Sequence, residues 1–256
     1  MSKKVYILIV LVLAAVFAVS TFFIVRNHLE AVEQSEKYDN LTEIVEKAET
    51  EETETVQFSE DKTLLPSYAE LYAQNDDMIG WIKVDDTQIN YPVMQSVNEP
   101  NFYLKHGFDK EYTDYGCPYI QENCDVEKAS DNLIIYGHNM NNGSMFAGLM
   151  KFKDKSFWEK HKTISFDTLT DHYDYEVVAV FKTFVYSNSP ESFKYYQFTD
   201  AETKSDFDEY IRKCKELALY DTGVTAEYGD KLISLSTCEY SRTNGRLVVV
   251  AKRVVK

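Results

Sequence analysis

The sequence predicts a mainly β protein: a closed, eight-stranded mixed β-barrel with inserted helices, preceded by an N-terminal helical region and a transmembrane helix. Three observations carry this prediction. About eight short apolar runs follow Leu64, each bounded by turn residues, and the helical segments among them do not alternate strictly, so a βαβ pattern does not fit. Aromatic residues make up 14% of the chain, with 19 Tyr and 15 Phe, a bias toward pleated, half-buried surfaces. Residues Val5 to Val25 carry no charge and are almost wholly apolar, long enough to cross a bilayer as a helix.

The elements follow in chain order. A cleaved signal peptide has a shorter apolar centre and a small-residue cleavage site. Here Phe22, Phe23, Ile24 and Val25 end the run, which favours an uncleaved anchor over residues 5–25. Lys3 and Lys4 precede it, so the positive-inside rule favours residues 1–4 as a cytoplasmic tail and the bulk outside, with Arg26 weighing the other way. Residues 26–63 read as an acidic stalk: from Glu30 to Lys62 there are twelve Asp or Glu against three Lys. Leu29, Val32, Leu41, Ile44, Val45 and Ala48 give it partial helical periodicity, and Glu49 to Glu54 read as its least ordered part.

The barrel domain is expected over residues 64–256. Ser67 with Glu70 reads as a capping box for a short helix to about Gln74. "MIGWIKV", "QINYPVM", "CPYIQ" and "DNLIIYGH" read as strands. "SMFAGLMKF" and "SFWEKH" read as helical turns opened by Ser144 and Ser156. "TISFDTL" and "DYEVVAVFKTFVY" return to strand. A helix within Asp200–Tyr220 places Phe207, Ile211, Cys214, Leu217 and Ala218 at three- and four-residue steps, with Cys214 as a plain core residue. "KLISLSTC" and "GRLVVVAK" close the chain as two strands.

The charge balance limits function. A net charge of −15 argues against a nucleic-acid partner, which needs clustered Lys and Arg. The four cysteines form no CxxC pair and no Cys/His spacing that suits zinc. Cys117 and Cys124 are near enough in sequence for a disulfide, but nothing requires one.

The last two strands carry the chemistry. Alternation puts Leu232, Ser234, Ser236 and Cys238 on one face and Ile233, Leu235 and Thr237 on the other, the expected core face. If the two strands pair across the loop Glu239 to Gly245, Cys238 and Arg246 meet at one end of the sheet. One reading makes Cys238 a small buried hydrophobe and Arg246 a surface charge. The other makes Cys238 a nucleophile, with Arg246 stabilising both thiolate and oxyanion. His138 ends the apolar strand after Gly137 and precedes the polar loop "NMNNGS", well placed to move a proton.

"LIIYGHNM", "LSTCEY" and "GRLVVVAK", in that order, resemble the catalytic segments of sortases, the membrane-anchored cysteine transpeptidases of Gram-positive bacteria, with Ser234 standing where the family motif starts with Thr. The resemblance runs from about Leu64 to Lys256 and is strongest to class B. It implies Cys238 as nucleophile, His138 as general acid/base and Arg246 as oxyanion stabiliser. It also implies substrate contacts at Ser236, Glu239 and Leu104, and a substrate-facing loop from Ser187 to Phe198 whose Phe193, Tyr195 and Tyr196 line a peptide groove. The implied reaction is cleavage of an NPxTN- or NPxTG-like sorting signal of secreted surface proteins after Thr, through a thioester. Transfer then goes to a cell-wall precursor amine of lipid II or a peptidoglycan cross-bridge, with no metal or organic cofactor. A membrane-tethered cysteine hydrolase and a non-catalytic wall-facing scaffold are the alternatives. No carboxylate is obviously placed to orient His138.

Overall fold

The computed structural model describes residues 2–50, 56–59, 61–96, 98–185 and 192–255. Two compact units are formed, 1–40 and 41–256. The first unit is helical, part of α1 (Lys3–Thr50), and its apolar stretch is exposed and long enough to cross a membrane. The remaining turns of α1 belong to the second unit, where Leu41 and Val45 are buried, so that unit begins ahead of Leu64. Residues 51–54 of the segment expected to be least ordered lie outside the described residues.

The second unit is a closed barrel of β1 (Met78–Lys83), β2 (Asn90–Met94), β3 (Tyr119–Ile120), β4 (Asn132–Tyr136), β5 (Thr163–Thr168), β6 (Asp174–Phe184), β7 (Leu232–Cys238) and β8 (Gly245–Arg253). The order around the barrel is β1-β2-β3-β4-β7-β8-β6-β5. The pairs β2–β3 and β4–β7 are parallel and the other six are antiparallel, giving the mixed sheet expected. Closure leaves no open sheet edge.

Helix starts differ from the sequence expectation. In α2 (Pro66–Gln74) the N-cap is Leu65 with no side-chain cap, and Ser67 is buried inside the helix. Pro66 explains this, since its fixed φ and missing N–H suit a first helical position. The stretch opened by Ser144 is a 3-10 helix, Phe146–Lys153, with Met145 as an uncapped start. In α3 (Lys155–Lys160) Asp154 is the cap and accepts from the Ser156 backbone N at 2.9 Å. Helix α4 (Lys204–Leu217) is shorter than Asp200–Tyr220 and opens on a capping box between Thr203 and Asp206.

Residues Leu232 to Thr237 of β7 are all buried, so both faces of the strand are covered and the single core face expected from alternation is corrected. Helix α4 buries Phe207, Tyr210, Ile211 and Cys214. The Tyr210 hydroxyl shares a hydrogen bond with Ser234 Oγ at 3.0 Å, and Ser234 Oγ donates to Asn132 Oδ1 at 2.8 Å. These bonds satisfy hydroxyls that a dry interior would otherwise penalise. Cys214 is fully buried, which pushes its thiol up. Cys117 and Cys124 are both buried.

Candidate active site

The parallel register of β4 on β7 runs from Asn132↔Leu232 to Tyr136↔Ser236. Two residues on, His138 follows the end of β4 and Cys238 is the last residue of β7. On the other side of β7, Cys238 pairs directly with Arg246 across the antiparallel ladder. His138, Cys238 and Arg246 therefore lie at neighbouring ends of β4, β7 and β8. All three line one groove of about 450 Å³. The six-residue loop Glu239 to Asn244 joins β7 to β8, Gly245 being the first residue of β8.

Each side chain has a defined setting. Cys238 is half-buried. His138 Nε2 lies 2.8 Å from the carbonyl oxygen of Leu104. A carbonyl only accepts, so Nε2 carries a hydrogen. The group orienting the imidazole is thus a backbone carbonyl in place of a carboxylate. Arg246 is half-buried and its Nη1 donates to the Gly245 carbonyl at 2.9 Å.

The other residues expected at the site divide. Leu104, Tyr195, Tyr196 and Ser236 line the groove. Leu104 is 39% exposed at its rim. The Tyr195 hydroxyl and Ser236 Oγ are 2.6 Å apart in a buried pair. Burial pushes the Tyr195 phenol up to about 12, against the Ser236 hydrogen bond and the nearby Arg246 charge. Glu239 does not line the groove. It is buried, its carboxylate accepts from Ser241 N at 3.1 Å, from Ser241 Oγ and from Lys153 Nζ at 3.3 Å, and so it braces the β7–β8 loop. Phe193 also faces elsewhere: its ring packs 5.7 Å from Phe181 and 5.8 Å from Tyr210. Residues 187–191 of the expected substrate-facing loop lie outside the described residues.

Several lining residues were missed at the sequence level, among them Cys117, Tyr119, Gln121 and Tyr136. Period two would have found them, because 117, 119 and 121 alternate through the run "CPYIQ" just as 136 and 138 do through "DNLIIYGH". Gln121 ties the wall together: its Oε1 accepts from the Tyr136 hydroxyl and its Nε2 donates to the Tyr196 carbonyl at 3.0 Å. Among the described residues no group of three or more His, Cys, Asp or Glu is arranged to hold a metal ion.

A closed mixed barrel with a thiol, an imidazole and a guanidinium lining one groove at neighbouring strand ends is the architecture of a sortase, and the comparisons agree. The "Sortase domain" model matches residues 82–254, so the chain belongs to the sortase family. Within that family its relatives are of class B. Sortase B of Listeria monocytogenes is 35% identical over 189 residues, covering 73% of this chain and 74% of that protein. A Staphylococcus aureus sortase B–substrate complex aligns with a TM-score of 0.76 at 30% identity, covering 88% of this chain and 98% of that one. A sortase B complexed with triglycine aligns with a TM-score of 0.75 at 29% identity, covering 88% and 98%. The chain is a class B sortase-type transpeptidase, with the closed barrel anticipated from its sequence.

Proposed function

We propose that this sortase cleaves an NPxTN- or NPxTG-like sorting signal after Thr and transfers the acyl group to a cell-wall amine, with Cys238, His138 and Arg246 as its catalytic residues. The observation that carries the reading is that these three side chains line one groove, just past the end of β4, at the end of β7 and at the start of β8. Cys238 gives its proton to His138, the thiolate attacks the threonine carbonyl carbon, and the C=O electrons move to oxygen. An arginine stays charged and offers several donors, so Arg246 stabilises that oxyanion. His138 gives a proton to the departing amine as the peptide bond breaks, leaving a thioester on Cys238. In the second half His138 takes a proton from an incoming amine, which attacks the thioester, and gives it back to the departing Cys238 thiolate. Nδ1 is the nitrogen that exchanges protons, because Nε2 is committed to Leu104.

The Tyr195, Tyr196, Tyr119 and Tyr136 rings give the groove an aromatic wall suited to an extended peptide. The substrate and triglycine complexes of related sortase B proteins support a peptide donor and an amine acceptor. Lipid II or a peptidoglycan cross-bridge would supply that amine. Residues 5–25 serve as a signal anchor, residues 1–4 as the cytoplasmic tail and 26–63 as the stalk, holding residues 64–256 on the outer face of the membrane.

The test is incubation of the full chain in detergent with a sorting-signal peptide, with and without triglycine, followed by mass analysis. The expected results are an acyl adduct on Cys238, ligated product when triglycine is present, and neither in Cys238→Ala. Cleavage retained in Cys238→Ala would overturn the assignment. Hydrolysed product alone, at every triglycine concentration, would identify a hydrolase instead.

A further inference from the structure

We propose that Asn139 is a positioning residue that holds His138 beside Cys238 where the strands carrying them part; this rests on the roles assigned to that pair above. The regular β4–β7 ladder ends at Tyr136↔Ser236. One further backbone bond, Gly137 N to Ser236 O, is already stretched to 3.2 Å. Beyond that point side chains replace the ladder. Thr237 Oγ1 donates to the Gly137 carbonyl at 2.7 Å. Asn139 Nδ2 donates to the carbonyl of Cys238 itself at 2.9 Å. The Tyr240 hydroxyl donates to the Asn139 carbonyl at 3.1 Å.

The residues on both sides of His138 are thereby bonded to the nucleophile's own stretch of chain. An asparagine carboxamide offers the same N–H donor as a backbone amide but carries it beyond Cα, so it can span strands that have begun to diverge. The far side of the His138 turn is also fixed, because Phe146 N donates to the His138 carbonyl at 2.8 Å and Asn139 pairs with Met145 as an isolated bridge. Asn139 is half-buried and does not line the groove, so it acts through His138 and Cys238 and touches no substrate.

The register holds the two strands together as far as Tyr136↔Ser236, and the Asn139 bond ties the chain next to His138 to Cys238 once backbone pairing stops. A misplacement of about 1 Å in such a pair costs on the order of 10²-fold in rate. Substrate binding relies on the groove walls, so KM should be spared.

The test compares the full chain with Asn139→Ala, Asn139→Asp, Tyr240→Phe and Cys238→Ala. The readouts are kcat and KM for a fluorogenic NPxTN peptide, the pH dependence of Cys238 alkylation by iodoacetamide, and the melting curve. Asn139→Ala should lose roughly 10- to 100-fold in kcat with KM held within about twofold. Its alkylation profile should shift as the imidazole leaves the thiol. Asn139→Asp should lose at least as much, since a carboxylate cannot donate to the Cys238 carbonyl. Tyr240→Phe, at an exposed ring, is the change least able to disturb folding and should lose a smaller factor in kcat alone. Folded Asn139 variants with parental kcat and an unshifted alkylation profile overturn the inference, and should neither fold, parental kcat in Tyr240→Phe does so. If those variants are parental and Cys238→Ala is dead, this inference alone fails. If Cys238→Ala still cleaves, the proposed catalytic roles fail instead.

Discussion

Replacing Gly137 by alanine should damage both stability and catalysis, through one clash. A Cβ at Gly137 would lie 2.5, 2.7 and 2.8 Å from Cγ, Cδ2 and Cδ1 of Phe146. Carbon atoms rest at about 3.5–4.0 Å, so roughly 1 Å of movement is required. The ring has little room to supply it. Phe146 is fully buried, and its own backbone N is hydrogen-bonded to the His138 carbonyl. The displacement therefore falls on the chain at Gly137 and His138. Overpacking of this kind costs about 1–3 kcal/mol. For a domain of this size that lowers Tm by roughly 2–12 °C. The same shift applied to His138 should cut kcat/KM by on the order of 10²-fold. Differential scanning calorimetry and peptide cleavage on the same preparation measure the two effects. Adding Phe146→Leu should restore part of kcat/KM by making room, at the cost of a cavity. If Gly137→Ala keeps its Tm within about 1 °C and its kcat/KM within about twofold, the packing argument is wrong.

Two further predictions concern buried titratable groups. Tyr195→Phe strands the Ser236 hydroxyl and should cost about 1–3 kcal/mol at neutral pH, read from urea midpoints. The folded Tyr195 phenol is pushed up to about 12 against about 10 unfolded, so its contribution is complete below about pH 10 and lost as pH rises toward 12. The gap between wild type and variant should shrink across that window, and a constant gap would contradict the assignment. Glu239 responds in the opposite sense. Burial works to raise its carboxyl, but the Ser241 and Lys153 hydrogen bonds win and hold it below the usual carboxylate range. Its contribution is therefore complete above about pH 4.3 and lost as pH falls through the folded value. Glu239→Gln should cost about 1.5–3 kcal/mol at pH 7 and approach wild type in acid, by thermal melts. Failure to converge would remove the carboxylate from the loop's support.

Much of this protein is written in local patterns. An uncharged run of 21 residues, the alternating strands and the three- and four-residue steps of α4 all follow from the periods of the backbone. The pairing of Cys238 with Arg246 was legible as well, because a short loop joins their strands and makes them antiparallel neighbours. Helix starts were less legible, since Pro66 and Asp154 compete with nearby serines that look equally suited to the role.

Tertiary structure alone decided the rest. Nothing local says that β4 lies parallel to β7 a hundred residues later, yet that pairing brings the ends of the two strands, with His138 and Cys238, to one groove. Nor does a local pattern show that Leu104 supplies a carbonyl to His138, that α4 packs against β6 with Tyr210 reaching Ser234 of β7, or that Glu239 turns into its own loop while Phe193 turns from the groove toward Phe181. Alternation gives each side chain a face, but which face meets water, and which strand lies alongside, is set by the burial and hydrogen bonding of the closed barrel as a whole.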